Sequence, residues 1–306
     1  MIRHSRNHHI DSAFVYGLAV LLVLAISNVE RILTRVKLNN FNFTNSKKIE
    51  SPSFFKQDTF SKIKIKGKAY VVYDIVDQRI IAEKNSNVML PIASITKVMT
   101  AITARNHYSK NKLITIRPIS IDGAYDLGLK NGQVFELDEL LKYTLVFSSN
   151  DGAQAISDGL GGRKAFVSQM NIDAKNLGLD LYFTQPAGLD ENGKLGGVGS
   201  ALSVAKMIRI ARKEFPEILD ATTRTRVSVN SSTGKITGIP NTNQDVYNLR
   251  GIEASKTGFT DDAGGNLVVV VDISIGHPVA IVVLGSTRLE RFSDVQMLYN
   301  ALQKSN

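Results

Sequence analysis

Strand-like segments at both ends of the chain, with helical ones between them, restrict the fold more than any other feature. Residues 69–73 (Ala-Tyr-Val-Val-Tyr) and 80–82 (Ile-Ile-Ala) flank Asp77-Gln78-Arg79 and read as two strands of a hairpin. Far along the chain, residues 226–230 and 253–257 have strand character, and residues 267–273 and 279–284 form a second hairpin joined by 274–278. The intervening stretch has helical periodicity. Ser94 opens a segment to Ala104 with apolar residues at Ile95, Val98, Met99 and Ile102, the spacing of one helix face. Leu137, Leu140, Leu141, Leu145 and Val146 mark a second helix. A third covers residues 164–177 and is closed by Gly178, while a fourth covers residues 200–215 and stops at Pro216. A final amphipathic helix covers residues 288–302. A sheet assembled from segments so distant implies one α+β domain, residues 68–306, in which an antiparallel sheet is flanked by helices.

The net charge of +9 raises the question of a nucleic acid or anionic-surface partner. Its location answers it. Residues 1–67 hold 11 Lys/Arg against 4 Asp/Glu, whereas the remaining residues hold 26 against 24. The basicity belongs to the N-terminal part, and no nucleic-acid partner is expected. That part begins with a polar stretch carrying Arg3 and Arg6, followed by an apolar run over residues 13–26 that weakens to Val29. These are the n-region and h-region of an export signal. Ala25-Ile26-Ser27 offers small residues to a signal peptidase, but residues 12–29 are just long enough to stay as an uncleaved anchor. Residues 1–29 are therefore read as a signal peptide or signal anchor, with the anchor favoured, giving membrane contact through the N-terminal segment. Residues 30–67, polar and basic, read as a tether; about 30 flexible residues reach roughly 30 Å.

The chain has no cysteine, which excludes thiolate nucleophiles, disulfides and thiolate zinc sites. Its five histidines are His4, His8 and His9 in the leader and His107 and His277 in the body. A histidine metal cage is therefore not expected, nor is any cofactor, and a Ser-His-Asp triad has few candidates. A lysine base is the attractive alternative. Ser-x-x-Lys puts a hydroxyl and an amine on adjacent turns of one helix face. The pattern occurs six times, starting at Ser53, Ser61, Ser94, Ser109, Ser203 and Ser232. Ser94 alone opens a periodic apolar helix after an extended segment, at a helix N-terminus that favours developing negative charge. Ser53 and Ser61 lie in the tether, Ser109 in a polar loop, Ser203 on an exposed helix face and Ser232 in a turn.

Two later patterns single out Ser94 further. Ser148-Ser149-Asn150 follows the second helix and supplies a hydroxyl and an amide; Ser-x-Asn also occurs at Ser5, Ser109 and Ser228. Lys256-Thr257-Gly258 occurs once, at the end of a strand, where its glycine lets a substrate backbone approach. In order, the three sets resemble the motifs of penicillin-binding proteins and serine β-lactamases. The segments 90–101 (Leu-Pro-Ile-Ala-Ser-Ile-Thr-Lys-Val-Met-Thr-Ala), 148–153 (Ser-Ser-Asn-Asp-Gly-Ala), 183–190 (Phe-Thr-Gln-Pro-Ala-Gly-Leu-Asp) and 256–264 are similar to signatures of peptidase family S11, the D-alanyl-D-alanine carboxypeptidases. The likeness covers residues 68–304. It departs at Gln185, where the family has asparagine, and at Asn266, where it often has cysteine.

The resemblance implies a β-lactamase/transpeptidase-like fold with a mostly helical subdomain. It also implies work in the bacterial cell envelope on D-alanyl peptides of peptidoglycan, with β-lactams as covalent inhibitors. Carried residue by residue, it makes Ser94 the nucleophile, Lys97 the general base, Ser148 a proton relay and Asn150 the residue that orients Lys97 and the substrate amide. Lys256, Thr257 and Gly258 form the substrate-binding strand. The N–H groups of Ser94 and Phe259 make the oxyanion hole, and Arg291 resembles an arginine that reads the substrate carboxylate. Lysine titrates near 10.4 when free, so a base role requires Lys97 to be depressed, by burial and by Lys256. A class A β-lactamase reading is disfavoured because no Glu-x-x-Leu-Asn element lies between Asn150 and Lys256. The same motifs would also serve a DD-endopeptidase or a non-enzymatic penicillin-binding wall module.

Overall fold

Residues 59–117, 129–245 and 248–305 are described by a computed structural model. The signal segment, the tether up to residue 58 and the Ser53–Lys56 pair lie outside the described residues. The chain opens with β1 (Ala69–Asp74), β2 (Arg79–Lys84) and the short β3 (Leu90–Pro91). A 3-10 turn (Ala93–Ile95) leads into α1 (Thr96–His107), followed by β4 (Leu113–Thr115) and β5 (Val134–Glu136). Next come α2 (Leu137–Val146), α3 (Asn150–Gly159) and α4 (Arg163–Asn176). After β6 (Leu181–Phe183) and β7 (Gly197–Gly199) come α5 (Ala201–Glu214) and α6 (Pro216–Ala221). The hairpin β8 (Arg226–Ser231) and β9 (Gly234–Pro240) precedes β10 (Ile252–Thr260), β11 (Gly264–Asp272), β12 (Pro278–Ser286) and α7 (Glu290–Ser305).

The central sheet has the order β10-β11-β12-β1-β2, with every neighbouring pair antiparallel. Its middle strands are apolar at nearly every position because both faces are covered. Leu267, Val269, Val271, Val279, Ile281 and Val283 pack with Val295, Leu298 and Leu302 of α7. The alternate residues, Val268, Val270, Ala280, Val282 and Leu284, join the core built with α1, α2 and α5. Period-two alternation thus divides one strand between two cores. Truncating such a residue, Ile281→Ala for example, costs about 2–5 kcal/mol.

The domain begins before residue 68. Phe60 is buried with Tyr70 and Leu298 in the α7 core, and Ile63 and Ile65 pack against it. The backbone N–H groups of Lys66 and Gly67 both donate to Asp294, at 3.0 and 2.9 Å. The stretch 59–67, assigned to the tether on composition, is held on the sheet. Residues 150–159 form a helix that no sequence periodicity signals, and Pro216 ends one helix by starting another, occupying the first turn of α6.

Candidate active site

Ser94 sits in the 3-10 turn rather than in the first α-helical turn, and α1 starts two residues later. Lys97 is then the second residue of α1, with its side chain fully buried. Its ammonium nitrogen reaches three acceptors: Ser94 Oγ at 2.8 Å, Asn150 Oδ1 at 2.8 Å and the Ala187 carbonyl at 2.7 Å. The Ser94 turn is pinned from outside. Ala93 has a left-handed backbone (φ 48°), uncommon for a residue with a Cβ. Gly188, itself at φ 77°, packs so closely that an added Cβ would lie 2.0 Å from the Ala93 oxygen. The loop before Gly188 is braced by Thr100 Oγ1, which donates to the Pro186 carbonyl at 2.7 Å. Gln185 braces it from within, accepting from Ala187 N–H and donating to the Leu189 carbonyl. Gln185 thus keeps the carboxamide of the family's asparagine, on a side chain one methylene longer, and uses it to brace the loop beside Lys97.

The spacing of Ser148-Ser149-Asn150 has a local cause. Ser149 is the N-cap of α3, its hydroxyl accepting from Gly152 N–H at 2.7 Å. Capping by the middle residue turns its neighbours in opposite directions. Ser148, at φ 63°, accepts from Lys256 Nζ at 2.8 Å, while Asn150 accepts from Lys97. Two of the left-handed non-glycine residues, Ala93 and Ser148, therefore sit at this site, where strain is held by its surroundings.

The third wall is β10, an edge strand of the central sheet. Gly258 lies against the Ser94 turn: a Cβ there would meet the Ile92 oxygen at 2.6 Å and Ile95 N at 3.3 Å. Lys256 is buried and donates to the carbonyl of Thr257 as well as to Ser148. Burial, then the neighbouring Lys97, then Arg291 hold its amine well below the usual lysine value. Thr257 Oγ1 bonds Thr242 Oγ1 at 2.7 Å, which brings in a residue the sequence did not mark. Phe259, just beyond, is exposed with the Arg288 guanidinium 5.2 Å from its ring centroid. Asn266, marked in the sequence only as a departure from the family pattern, has a place here too. It donates to the Pro91 carbonyl at 3.0 Å and accepts from Gly285 N–H at 2.8 Å, tying the approach to Ser94 onto the sheet. Asp190 joins the Gly188 loop to the end of β10 by accepting from Thr260 Oγ1 at 2.6 Å.

Three of the other Ser-x-x-Lys serines are engaged elsewhere. Ser203 is buried, against the exposure expected of it, because its hydroxyl accepts from Asp180 N–H. Ser232 accepts from Val134 N–H, and Ser109 pairs with Asn111. His107 is held by Asp173 at 3.1 Å and His277 by Asp74 at 3.1 Å.

A serine whose polar partner is a buried amine, at the junction of a helical layer and an antiparallel sheet, marks the lysine-dependent serine acyl-transfer enzymes. Within that class the chain belongs to the D-alanyl-D-alanine carboxypeptidase family of serine peptidases, peptidase S11, whose model matches residues 56–288. A D-alanyl-D-alanine endopeptidase of Escherichia coli is 31% identical over 249 residues, covering 78% of each chain. The D-alanyl-D-alanine carboxypeptidase DacF of Bacillus subtilis is 29% identical, spanning 79% of this chain and 64% of its own length. Penicillin-binding protein D2 of Listeria monocytogenes, solved with cefotaxime bound, superposes with a TM-score of 0.69 at 27% identity, covering 78% of this chain and 98% of that one. This is a family of cell-wall peptidases, which places the chain in the envelope. Among the described residues no helix is long and apolar enough to cross a membrane.

Proposed function

We propose that the chain hydrolyses the D-alanyl-D-alanine bond of peptidoglycan stem peptides by acyl transfer to Ser94. The observation that carries this is the hydrogen-bonded line Ser94–Lys97–Asn150, with Lys97 Nζ 2.8 Å from each partner. Lys97, in its amine form, takes the proton as Ser94 Oγ attacks the carbonyl carbon. The tetrahedral oxyanion sits against the N–H groups of Ser94 and Phe259. Ser148, bonded to Lys256 Nζ, gives its proton to the departing amine and is reprotonated from Lys97, which restores the Lys97 amine as free D-alanine leaves. Water, giving its proton to the Lys97 amine, then attacks the ester carbonyl, and the shortened peptide leaves as Ser94 Oγ takes that proton back. Thr257 and Lys256 hold the leaving residue, and β-lactams acylate the same oxygen. The N-terminal segment keeps the domain at the outer face of the membrane.

Fluorescent penicillin tests this reading. It should label the protein, with the adduct on Ser94 and slow release. No labelling, labelling that survives in Ser94→Ala, or rapid nitrocefin turnover would overturn it. A second reading, cleavage of cross-links, is favoured by the name of the 31% identical relative. Muropeptides of known cross-linking separate the two: free D-alanine from a pentapeptide supports the first, monomers from a dimer the second.

A further inference from the structure

Thr257 has a single hydroxyl proton and, in the acyl transfer proposed above, a second use for it. Its Oγ1 donates to Thr242 Oγ1 at 2.7 Å. To hold the leaving residue it must donate instead to that residue's carboxylate, so the bond to Thr242 has to be given up or reversed. Reversal requires Thr242 to have a proton to return. Among the described residues the Thr242 hydroxyl donates to the Val146 carbonyl alone, at 3.5 Å, a length at which a hydrogen bond is weak. That carbonyl also accepts from Thr242 N–H at 3.1 Å, so it keeps a partner when the hydroxyl turns away. The exchange therefore strands no polar group.

The backbone holds Thr242 where this exchange needs it. Asn241 N–H donates to the Thr225 carbonyl at 2.9 Å, and its Nδ2 donates to the carbonyls of Thr222 and Arg224 at 2.7 and 2.9 Å. Asn241 Oδ1 accepts from Asn243 N–H at 2.8 Å. Residues 241–243 are thus tied down on both sides of Thr242. Its own N–H, bonded to the last residue of α2, sets it between the helical wall that leads to Ser148 and the strand that carries Lys256. Thr257 is β-branched, so an anchored Oγ1 also fixes its side-chain rotamer.

We propose that Thr242 is a positioning residue for the substrate's terminal carboxylate, acting through Thr257. In the free protein it accepts the Thr257 proton. When the carboxylate arrives both hydroxyls turn, Thr257 donating to the carboxylate oxygen and Thr242 donating to Thr257 Oγ1. This rests on the acyl-transfer reading, in which Thr257 and Lys256 hold the leaving residue. A hydroxyl that accepts a hydrogen bond is a stronger donor, so Thr242 tightens the grip on the anion without touching it. Arg291, which by resemblance reads the same carboxylate, supplies charge, and the hydroxyl pair adds direction. A charge-assisted bond gains more from this than a neutral one, so the pair favours a free acid over an amide.

The test uses the full chain with Thr242→Val, which keeps the shape and the backbone bond to Val146, and Thr242→Ser, which keeps the hydroxyl. Hydrolysis of a D-Ala-D-Ala peptide is measured as free acid and as amide. Acylation by benzylpenicillin is resolved into a pre-acylation Kd and a first-order rate constant. In Thr242→Val the KM for the acid and the Kd for benzylpenicillin should rise about three- to tenfold, as for one lost hydrogen bond. The KM for the amide, kcat and the acylation rate constant should stay within about twofold, below the effect of losing such a bond. Thr242→Ser should recover the wild-type values. The effect should vanish in a Thr257→Val background, because Thr242 acts through that hydroxyl. Unchanged or tighter binding of the acid by Thr242→Val overturns the proposal, since Thr242 would then only compete for the Thr257 proton. So does an equal loss for acid and amide, or a loss that persists without the Thr257 hydroxyl; either reduces Thr242 to a strap between the two walls. If Thr242→Val fails to fold, Thr242→Ala carries the same expectations. A wild-type chain that takes no acyl group from benzylpenicillin would instead remove the acyl-transfer reading beneath it.

Discussion

Replacing Gly188 by alanine should disable Ser94 without touching any group that reacts. Gly188 has φ 77°, and its Cβ would lie 2.0 Å from the Ala93 oxygen, 2.5 Å from the Ala93 carbon and 2.7 Å from Thr96 Oγ1. Holding alanine in the left-handed region costs about 1–2 kcal/mol. Relieving the overlap requires the Ala93 carbonyl to move by about 1 Å, and forced overpacking of this kind costs about 1–3 kcal/mol. A total near 3 kcal/mol lowers Tm by about 6–12 °C in a domain of this size. Because Ala93 immediately precedes Ser94, the displacement passes to Ser94, and on the proposed acyl transfer a 1 Å error in a reacting group lowers the rate by about 100-fold. Gly276→Ala is the matched control: φ is 78°, but no atom lies within 4 Å of the added Cβ. It should lose about 1 kcal/mol, from backbone strain alone, and keep its acylation rate. Thermal melts and β-lactam acylation kinetics on both variants decide the matter. A folded Gly188→Ala that acylates at the wild-type rate would refute the claim that this contact places Ser94.

Three further outcomes follow from contacts elsewhere in the site. Lys256 titrates below the usual lysine value, so between its folded value and about 10.4 the unfolded chain binds more protons, and stability should rise with pH across that window. Lys256→Met removes this term, so denaturant titrations should show wild type gaining on the variant as pH rises. The raised Tyr70 and Tyr73 act in both proteins and cancel in the difference. Ser149→Ala should cost about 1 kcal/mol as a lost helix cap and slow acylation by loosening Ser148 and Asn150 together, with Ser149→Thr restoring both. If acylation is unaffected, the cap does not organise the site. Asn266→Ala strands the Pro91 carbonyl and Gly285 N–H in the interior, at about 1–3 kcal/mol each, readable by chemical denaturation. A change below about 0.5 kcal/mol would contradict those pairings.

The motif serines and lysines were legible because local spacing sets their directions, Ser94 and Lys97 on adjoining turns and Ser148 and Asn150 on either side of a cap, and because the ordered set of motifs set one of six candidates apart. The apolar strands were legible because residues 267–271 and 279–284 are buried on both faces, so neither face dilutes the signal. Other features depend on contacts that no local pattern records. Ile63 and Ile65 alternate with Lys62, Lys64 and Lys66, a strand-like period hidden by a basic composition. Helix α3 contains Gly152 because a Cβ there would lie 2.4 Å from Thr144 Oγ1, so close packing overrides helix propensity. Thr242 and Asn266 are single polar residues whose partners lie 15 and 175 positions away. Arg291 was found by position, but its burial and its bond to the Gly258 carbonyl were not.

The sheet order also fixes when this protein can become a protein. Strand β1 lies between β2 and β12, and Ala69 is registered with Leu284. Any process that delivers the chain from its N-terminus, whether synthesis or threading through a membrane pore, presents an all-buried strand long before its neighbour arrives. Until residue 284 has emerged, residues 69–74 keep one edge bare and sticky, a template for wrong pairing. The domain cannot close its sheet piecemeal: β1 stays half-paired until the last strand arrives.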